Sequence, residues 1–170
     1  MTATEMTPDM IKAGSSMARV AGAAARLGLT IRILKMNRST RTAQEAADAV
    51  GCQVAQIVKS LIFENAETQK LNLMLVSGIH NADMDYISRQ YGLSFTRCDV
   101  RRVRDETGFA IGGVAPIGHL APIDTFIDRT LVDHEMVWAA AGRPDSVFSV
   151  NSKALANAIE AKIIDVRAPN

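Results

Sequence analysis

A lysine inside an apolar run is the first residue whose chemistry its neighbours do not explain. In the run Ile57–Phe63, strand alternation puts Lys59 on the same face as Leu61 and Phe63. An ammonium group on such a face must reach solvent, pair with a carboxylate or line a cavity that receives an anion, because burying it unpaired is costly. The pattern alone leaves two interpretations open: a strand-end lysine in solvent, or part of an anion site.

A glycine-rich stretch, Gly108–His119, is the second candidate and is called the glycine loop below. It contains four glycines and Pro116, and apolar residues fill most of the other positions. Glycine permits positive φ and Pro116 fixes its own φ, so backbone N–H groups here can be held as donors to an anion or oxyanion. The spacing matches neither the dinucleotide fingerprint nor the P-loop. A structural turn between strands is the alternative explanation.

The remaining polar residues give weaker indications. The arginines at 97, 101, 102 and 104 could contact phosphates or form a solvated helix face. The three histidines, at 80, 119 and 134, are dispersed, and their spacing supports no Ser-His-Asp arrangement. Cys52 and Cys98 lack a CxxC pair or a histidine at ligand spacing, so we expect free thiols, no metal site and no cofactor.

Composition limits the classes of function. The 170 residues include 19 Lys+Arg and 18 Asp+Glu, a net charge of +1, which excludes binding of a polyanion along the whole chain. A nucleic acid must therefore be bound locally. No stretch approaches the ~20 apolar residues of a membrane span, and the first ten residues lack a leader pattern. We expect one cytoplasmic domain over residues 1–170, with no membrane contact.

The elements that must position these residues mix hairpins with helices. Turn residues in segment 64–70 predict a hairpin of two strands, and Thr42 with Glu45 has the form of a capping box at a helix start. Because no regular βαβ alternation is present, we expect an α+β domain with a mixed sheet. The predicted helices are 9–27, 42–50, 83–90, 99–107 and 152–161, and the predicted strands are 31–36, 57–63, 71–76, 93–96, 123–127, 137–140, 147–150 and 163–166.

Four segments taken together resemble the YbaK and prolyl-tRNA synthetase-associated (ProX-like) editing domain family. They are 42–47 (TAQEAA), 56–61 (QIVKSL), 107–116 (TGFAIGGVAP) and 137–142 (VWAAAG), in family order over about residues 15–166. Each is weak alone, but a lysine strand followed about fifty residues later by a GxxxP loop, Gly112 to Pro116, is fairly specific. The resemblance implies a mostly antiparallel or barrel-like sheet flanked by helices.

The resemblance also implies a trans-acting hydrolase that removes wrong amino acids from tRNA, most often proline tRNA, with prolyl-tRNA synthetase as a possible partner. Lys59 is then expected to contact the phosphate of the terminal adenosine, and the backbone of Gly112 to orient the ester carbonyl. An aminoacyl ester is already activated, so its hydrolysis needs a positioned water and a stabilised oxyanion more than a protein nucleophile. The resemblance implies that the substrate's own ribose hydroxyl helps to activate water, so we assign no general base to the protein.

The pocket is where the sequence departs from the cysteine-removing YbaK branch. Thr42 falls where that branch has an aromatic residue, and Ala140 and Val147 fall where it has a serine and an acid. Alanine, serine, threonine or 2-aminobutyrate then suits the pocket at least as well as cysteine. The residues expected to contact substrate are Thr42, Gly113, Pro116, His119, Ala140 and Gly142.

Two other functions stay open at this point. A non-catalytic module could hold a tRNA end or a synthetase in the same cleft. A small-molecule sensor could use the apolar strand face as its pocket.

Overall fold

The chain folds into two β-sheets surrounded by helices, and the computed structural model describes residues 3–169. The helices in this range are α1 (Ser16–Arg26), α2 (Ala43–Val50), α3 (Met84–Tyr91), α4 (Val100–Thr107), α5 (Arg129–Val132) and α6 (Ser152–Ala158). The strands are β1 (Ala3–Glu5), β2 (Arg32–Met36), β3 (Val58–Asn65), β4 (Leu71–Ser77), β5 (Phe95–Arg97), β6 (Asp124–Asp128), β7 (Met136–Ala140), β8 (Ser146–Asn151) and β9 (Lys162–Ile164).

The sheets are open and mostly antiparallel. One has the order β1-β2-β8-β7 and is antiparallel throughout; the other has the order β5-β3-β4-β6-β9, in which β6 is parallel to both β4 and β9. A parallel bridge between Ile57 and Trp138 links the two sheets just before β3 and within β7. The predicted α+β class with a mixed sheet is confirmed, without closure into a barrel.

The predicted hairpin is formed by β3 and β4, whose register runs from Val58 opposite Ser77 to Glu64 opposite Leu71. All of β4 is buried at the centre of its sheet, whereas β3 is only half-buried after Val58. The outer neighbour of β3, β5, covers only residues 63–65, and β7 approaches the beginning of β3, where Lys59 lies, through the bridge of Ile57 with Trp138.

Local signals placed some helix ends correctly and others wrongly. Thr42 caps α2 by accepting from the Glu45 N–H at 3.1 Å, and Gly51 ends the helix with φ of +76°. The first helix begins at Ser16 rather than at residue 9, because Gly14 has φ of +79° and the Ser15 hydroxyl caps the helix by accepting from Ala18 N–H. The short elements β1 and α5 have too few residues for a periodic pattern and were not predicted.

The main core includes part of the glycine loop. Between Gly113 and Ile117 every residue of that loop is buried. The loop is therefore fixed by core packing as well as by its backbone. Buried members of this core from α1, β4, the glycine loop and β8 include Met17, Val20, Ala24, Leu73, Leu75, Phe109, Val114, Ala115, Ile117 and Phe148.

The N-terminal cap of α6 can be tested by mutation. Asn151 accepts from the Ala154 N–H at 2.9 Å, so Asn151→Ala should lower the free energy of unfolding by about 1 kcal/mol, measured by urea denaturation. Asn157, exposed in the same helix, is the matched control, and Asn157→Ala should be neutral or slightly stabilising because alanine favours the helix interior. Equal losses in both variants would contradict the assigned cap.

Candidate active site

Lys59 is a partly buried cation held at the start of β3. Its ammonium donates a hydrogen bond to the backbone carbonyl of His80. Partial burial lowers the pKa of Lys59 from its ordinary value, and the negative charge of Asp128 partly opposes this shift. A lysine ammonium carries further N–H donors beyond the one used here, so Lys59 can still bind an anion.

A buried carboxylate lies next to this lysine. Asp128, at the end of β6, is only 1% exposed. Its Oδ2 accepts from the Ser77 N–H at 3.0 Å and from His80 Nδ1 at 2.9 Å, and its Oδ1 accepts from the Thr130 N–H at 3.0 Å. Because an ionised carboxylate only accepts, Nδ1 of His80 carries a proton. These contacts fix the segment Ser77–His80, called the 77–80 turn below.

The 77–80 turn also contacts the helix that carries Thr42. A Cβ added at Gly78 would lie 2.9 Å from the Cβ of Ala43 and 2.5 Å from the carbonyl oxygen of Val54, so the backbones pack closely there. Thr42 is exposed at the N-terminus of α2, immediately before Ala43. The structure thus brings the start of α2, which follows Thr42, and Lys59 to the same turn from two different elements.

The glycine loop reaches this region through β7. β3 and β7 run in parallel from the bridge between Ile57 and Trp138. Lys59 is two residues after Ile57, and Ala140 is two residues after Trp138. In the segment after β7, a Cβ added at Gly113 would lie 3.0 Å from the Cα of Arg143. The chain from Ala140 to Arg143 therefore connects the lysine strand with the glycine loop.

Two glycines of this region have backbones that favour glycine. Gly112 is exposed with φ of +91°. Gly142 has φ of +96°, and a Cβ there would lie 2.9 Å from the backbone of Ser16, whose hydroxyl donates to the Gly142 carbonyl at 2.7 Å. The close approach to α1 leaves no room for a side chain at position 142.

The glycine loop presents amide groups without partners. Gly113 donates its N–H to the Ala110 carbonyl at 3.0 Å. Within residues 3–169, however, no group accepts a hydrogen bond from the N–H of Gly112, Val114 or Ala115, although the last two residues are buried. Of these three residues only Gly112 is exposed, so its N–H is the candidate donor to a ligand.

One arginine that the sequence analysis missed closes the glycine loop at both ends. From α1, Arg19 donates through Nε to the Gly118 carbonyl at 3.2 Å and through Nη2 to the Gly108 carbonyl at 2.6 Å. Its guanidinium carbon also lies 4.8 Å from the centre of the Phe109 ring. No sequence pattern marks Arg19, because helix arginines are usually solvated and the carbonyls it contacts are distant in the chain.

Pro116 and His119 lie on a different surface of the loop. They line a cavity of about 960 Å³, and its lining residues do not include Lys59 or Gly112. The Nε2 atom of His119 contacts the Ala115 carbonyl at 2.6 Å, and Nδ1 is buried without a partner among the described residues. Burial lowers the pKa of His119, which favours a neutral ring that donates from Nε2.

The arginine cluster divides into structural and exposed members. Arg102 forms ion pairs with Glu64 and Glu106 and donates to the Gln69 carbonyl at 2.7 Å. Arg101 and Arg104 are exposed on α4 and have no ion pair in the described part of the chain. Only the exposed members are free to contact a phosphate.

In the described residues, the two cysteines form no additional reactive centre. Cys52 and Cys98 are free thiols, as expected, and burial raises the pKa of Cys52 to about 11, which disfavours the nucleophilic thiolate. Residues 3–169 contain no group of three potential metal ligands. Over the same range, no helix has the length and apolarity that a membrane span requires.

Comparison with known proteins identifies a family. The model of the aminoacyl-tRNA editing domain matches residues 37–158, which include Lys59 and the glycine loop. The chain is 27% identical over 135 residues to the uncharacterized protein YwhH of Bacillus subtilis (strain 168), a match that covers 79% of this chain and 85% of YwhH.

Solved structures agree with this match. A proposed trans-editing enzyme for prolyl-tRNA synthetase is 37% identical, with a TM-score of 0.81 over 96% of this chain and 99% of that chain. A scaffold protein from work on epitope backbone grafting by computational design is 36% identical, with a TM-score of 0.82 over 92% of this chain and 99% of that chain.

The contacts of Arg19 predict the behaviour of the loop. Arg19→Met keeps an unbranched apolar side chain but removes both bonds to loop carbonyls, so the free energy of unfolding should fall by about 2 kcal/mol. Amide hydrogen exchange of the glycine loop should increase more than that of β8. Arg26→Met, at an exposed position of the same helix, is the control and should change neither measurement. Unchanged exchange in Arg19→Met would show that core packing alone holds the loop.

Proposed function

The chain belongs to the aminoacyl-tRNA editing domain family, and on that premise we propose that it is a trans-acting deacylase. It hydrolyses the ester of mischarged tRNA, and its substrate is proline tRNA carrying a small non-cognate amino acid. The observation that carries the proposal is the combination of a held cation, Lys59, with a glycine loop in which the exposed Gly112 N–H has no acceptor among the described residues. The similarity to a proposed trans-editing enzyme for prolyl-tRNA synthetase supports the choice of tRNA.

In this proposal, Lys59 binds the phosphate of the terminal adenosine. One N–H of its ammonium is occupied by the His80 carbonyl, and the others are directed to the phosphate oxygens. A hydrogen bond between two ionised groups is stronger than one between neutral groups, so a single lysine can position the end of the tRNA. Fixing the ester in place lowers the entropic part of the barrier to hydrolysis.

The glycine loop stabilises the oxyanion of the reaction. Water adds to the ester carbonyl, the carbonyl oxygen becomes negative, and the tetrahedral intermediate collapses to release the ribose hydroxyl and the free amino acid. The exposed Gly112 N–H, which has no acceptor among the described residues, supplies a hydrogen bond to that oxygen, and its fixed position requires no reorganisation during the reaction. We assign activation of water to the substrate's own ribose hydroxyl.

Small residues around the proposed pocket favour a small amino acid. Thr42, Ala140 and Gly142 contribute side chains of no more than three heavy atoms, and Gly142 is packed against Ser16. The aminoacylation site of a tRNA synthetase discriminates only about 10- to 200-fold against an amino acid that differs by one methylene. A second site that hydrolyses the tRNA carrying the smaller amino acid therefore raises accuracy. Alanine, serine, threonine and 2-aminobutyrate are the proposed substrates. Gly113 packs against Arg143 beside this pocket, whereas Pro116 and His119 support the glycine loop from its other surface.

A deacylation panel tests this function. Proline tRNA is charged separately with alanine, cysteine, serine, threonine, 2-aminobutyrate and proline, and alanine tRNA with serine; release of each amino acid is followed with and without the protein. We expect selective hydrolysis of one or more small non-cognate esters and no hydrolysis of prolyl-tRNA. In Lys59→Met, kcat/KM should fall by about ten- to a hundredfold, the loss expected for a hydrogen bond to a charged group.

The control is Lys153→Met, a lysine exposed on α6, which should retain wild-type turnover. If every ester decays at the background rate, deacylation of these tRNAs is contradicted. Binding of tRNA without turnover would then favour the non-catalytic module.

The exposed arginines of α4 give a second test. If Arg101 and Arg104 contact phosphates, the double variant Arg101→Gln/Arg104→Gln should flatten the slope of log K against log salt concentration for tRNA binding by about two. The matched control is Arg26→Gln/Lys153→Gln, which removes the same charge from other exposed positions. An unchanged slope would identify Arg101 and Arg104 as parts of a solvated helix face.

A further inference from the structure

A chain of hydrogen bonds runs from the buried Asp128 through His80, in the 77–80 turn, to the ammonium of Lys59. We infer that Asp128 and His80 are positioning residues: they fix the 77–80 turn so that the His80 carbonyl orients the Lys59 ammonium toward its anionic ligand. The inference rests on the proposed role of Lys59 in deacylation. Neither residue is assigned a contact with the substrate.

The turn is fixed at both of its ends by one carboxylate oxygen. Oδ2 of Asp128 accepts from the Ser77 N–H at 3.0 Å and from the His80 ring at 2.9 Å. Within the turn, the His80 N–H donates to the Ser77 carbonyl at 2.9 Å, and the Gly78 N–H donates to the Ile57 carbonyl at 2.8 Å. The carbonyl of His80 therefore has a defined position relative to the start of β3.

A defined acceptor matters because a lysine side chain is otherwise mobile. Its flexible four-carbon stem carries about 2 kcal/mol of rotamer entropy, which must be lost whenever the ammonium binds in one place. When the His80 carbonyl holds Lys59 in advance, less ordering is left to occur as the ligand binds. The turn therefore acts by preorganising the cation.

Asp128 acts on Lys59 through His80 and not by a direct ion pair, so the Lys59 ammonium stays available to a ligand. In the described residues Lys59 forms no ion pair with a carboxylate, and its hydrogen-bond acceptor is the neutral His80 carbonyl. A direct ion pair would compete with a phosphate for the same ammonium. Asp128 is buried, so its charge is poorly screened by water and raises the pKa of Lys59 without occupying its donors.

Other charged groups surround this network. A small cavity of about 220 Å³ is lined by His80, Asp128, Asp165 and Arg167, among others. Asp165 pairs with Arg129 at 2.9 Å, and both side chains are largely exposed. Asp165 is a second carboxylate near the same histidine and serves as a control for a general change in local charge.

A matched pair of substitutions at His80 separates the hydrogen bond from side-chain bulk. In His80→Asn the amide nitrogen can replace Nδ1 as the donor to Asp128, whereas leucine in His80→Leu has a similar size and no donor. Thermal unfolding first establishes that each variant is folded. NMR of the lysine 13Cε and 15Nζ nuclei then reports on Lys59 without any RNA, with Lys59→Arg used to assign its signals.

We expect the Lys59 signals of His80→Asn to match the wild type and those of His80→Leu to move toward the values of a solvated lysine. In Asp128→Asn the pKa of Lys59 should fall, because the carboxylate that raises it is gone. Asp165→Asn should leave the Lys59 signals unchanged. Wild-type Lys59 signals in His80→Leu, together with an unchanged Lys59 pKa in Asp128→Asn, would overturn the inference.

Kinetics then test whether the network acts through the lysine. With the mischarged tRNA that the wild type hydrolyses best, His80→Leu should raise KM by up to about tenfold, the effect of one lost hydrogen bond, with a smaller change in kcat. His80→Asn should largely restore the wild-type KM. In the Lys59→Met background, His80→Leu should cause no further loss.

Equal losses in both backgrounds would show that His80 acts independently of Lys59 and would contradict the inference. If Lys59→Met turns over like the wild type, the proposed function of Lys59 fails instead. The NMR result still decides whether the network holds the lysine.

Discussion

The buried carboxylate of Asp128 is the interaction on which the site most depends. A charge placed at 1% exposure is stable only when donors surround it, and here the donors come from the end of β4, the 77–80 turn and the start of α5. Meeting that requirement brings three separate segments of the chain together. The same turn receives the ammonium of Lys59, so the contacts that satisfy one buried charge also position a second charged group.

The glycine loop obeys a related constraint. Its backbone carries amides with no acceptor, an arrangement that an isolated loop would lose by rearranging. Arg19 opposes this by binding carbonyls at both ends of the loop, while Val114, Ala115 and Ile117 anchor its second half in the core. Packing and a charge-assisted clamp therefore stabilise a backbone that is open to a ligand. A site of this kind can stabilise an oxyanion without a catalytic serine or cysteine.

Membership in the editing-domain family fits a site assembled from backbone groups and one cation. The two sheets meet at the bridge of Ile57 with Trp138, and that junction sets the lysine strand beside the strand that leads to Gly142. Close backbone contacts at Gly78, Gly113 and Gly142 draw the surrounding segments together, and any Cβ at these positions would separate them. The proposed specificity for a small amino acid depends on the same small residues, because the segments that surround the pocket pack closely together.

The sequence by itself determined the α+β class, the β3–β4 hairpin, the caps of α2 and the membership indicated by Lys59 and the GxxxP loop. These features depend on periodicity, turn residues and short motifs, which are local. Tertiary structure decided which strand is central, where α1 begins, and how Asp128 and Arg19 act. Asp128 meets His80 across 48 positions of the chain and Arg19 meets Gly118 across 99, and no local pattern encodes such contacts. A carboxylate or a carbonyl group is buried only when the chain folds. Its hydrogen-bond partner is then the residue that the fold places beside it, however distant that residue is in the sequence.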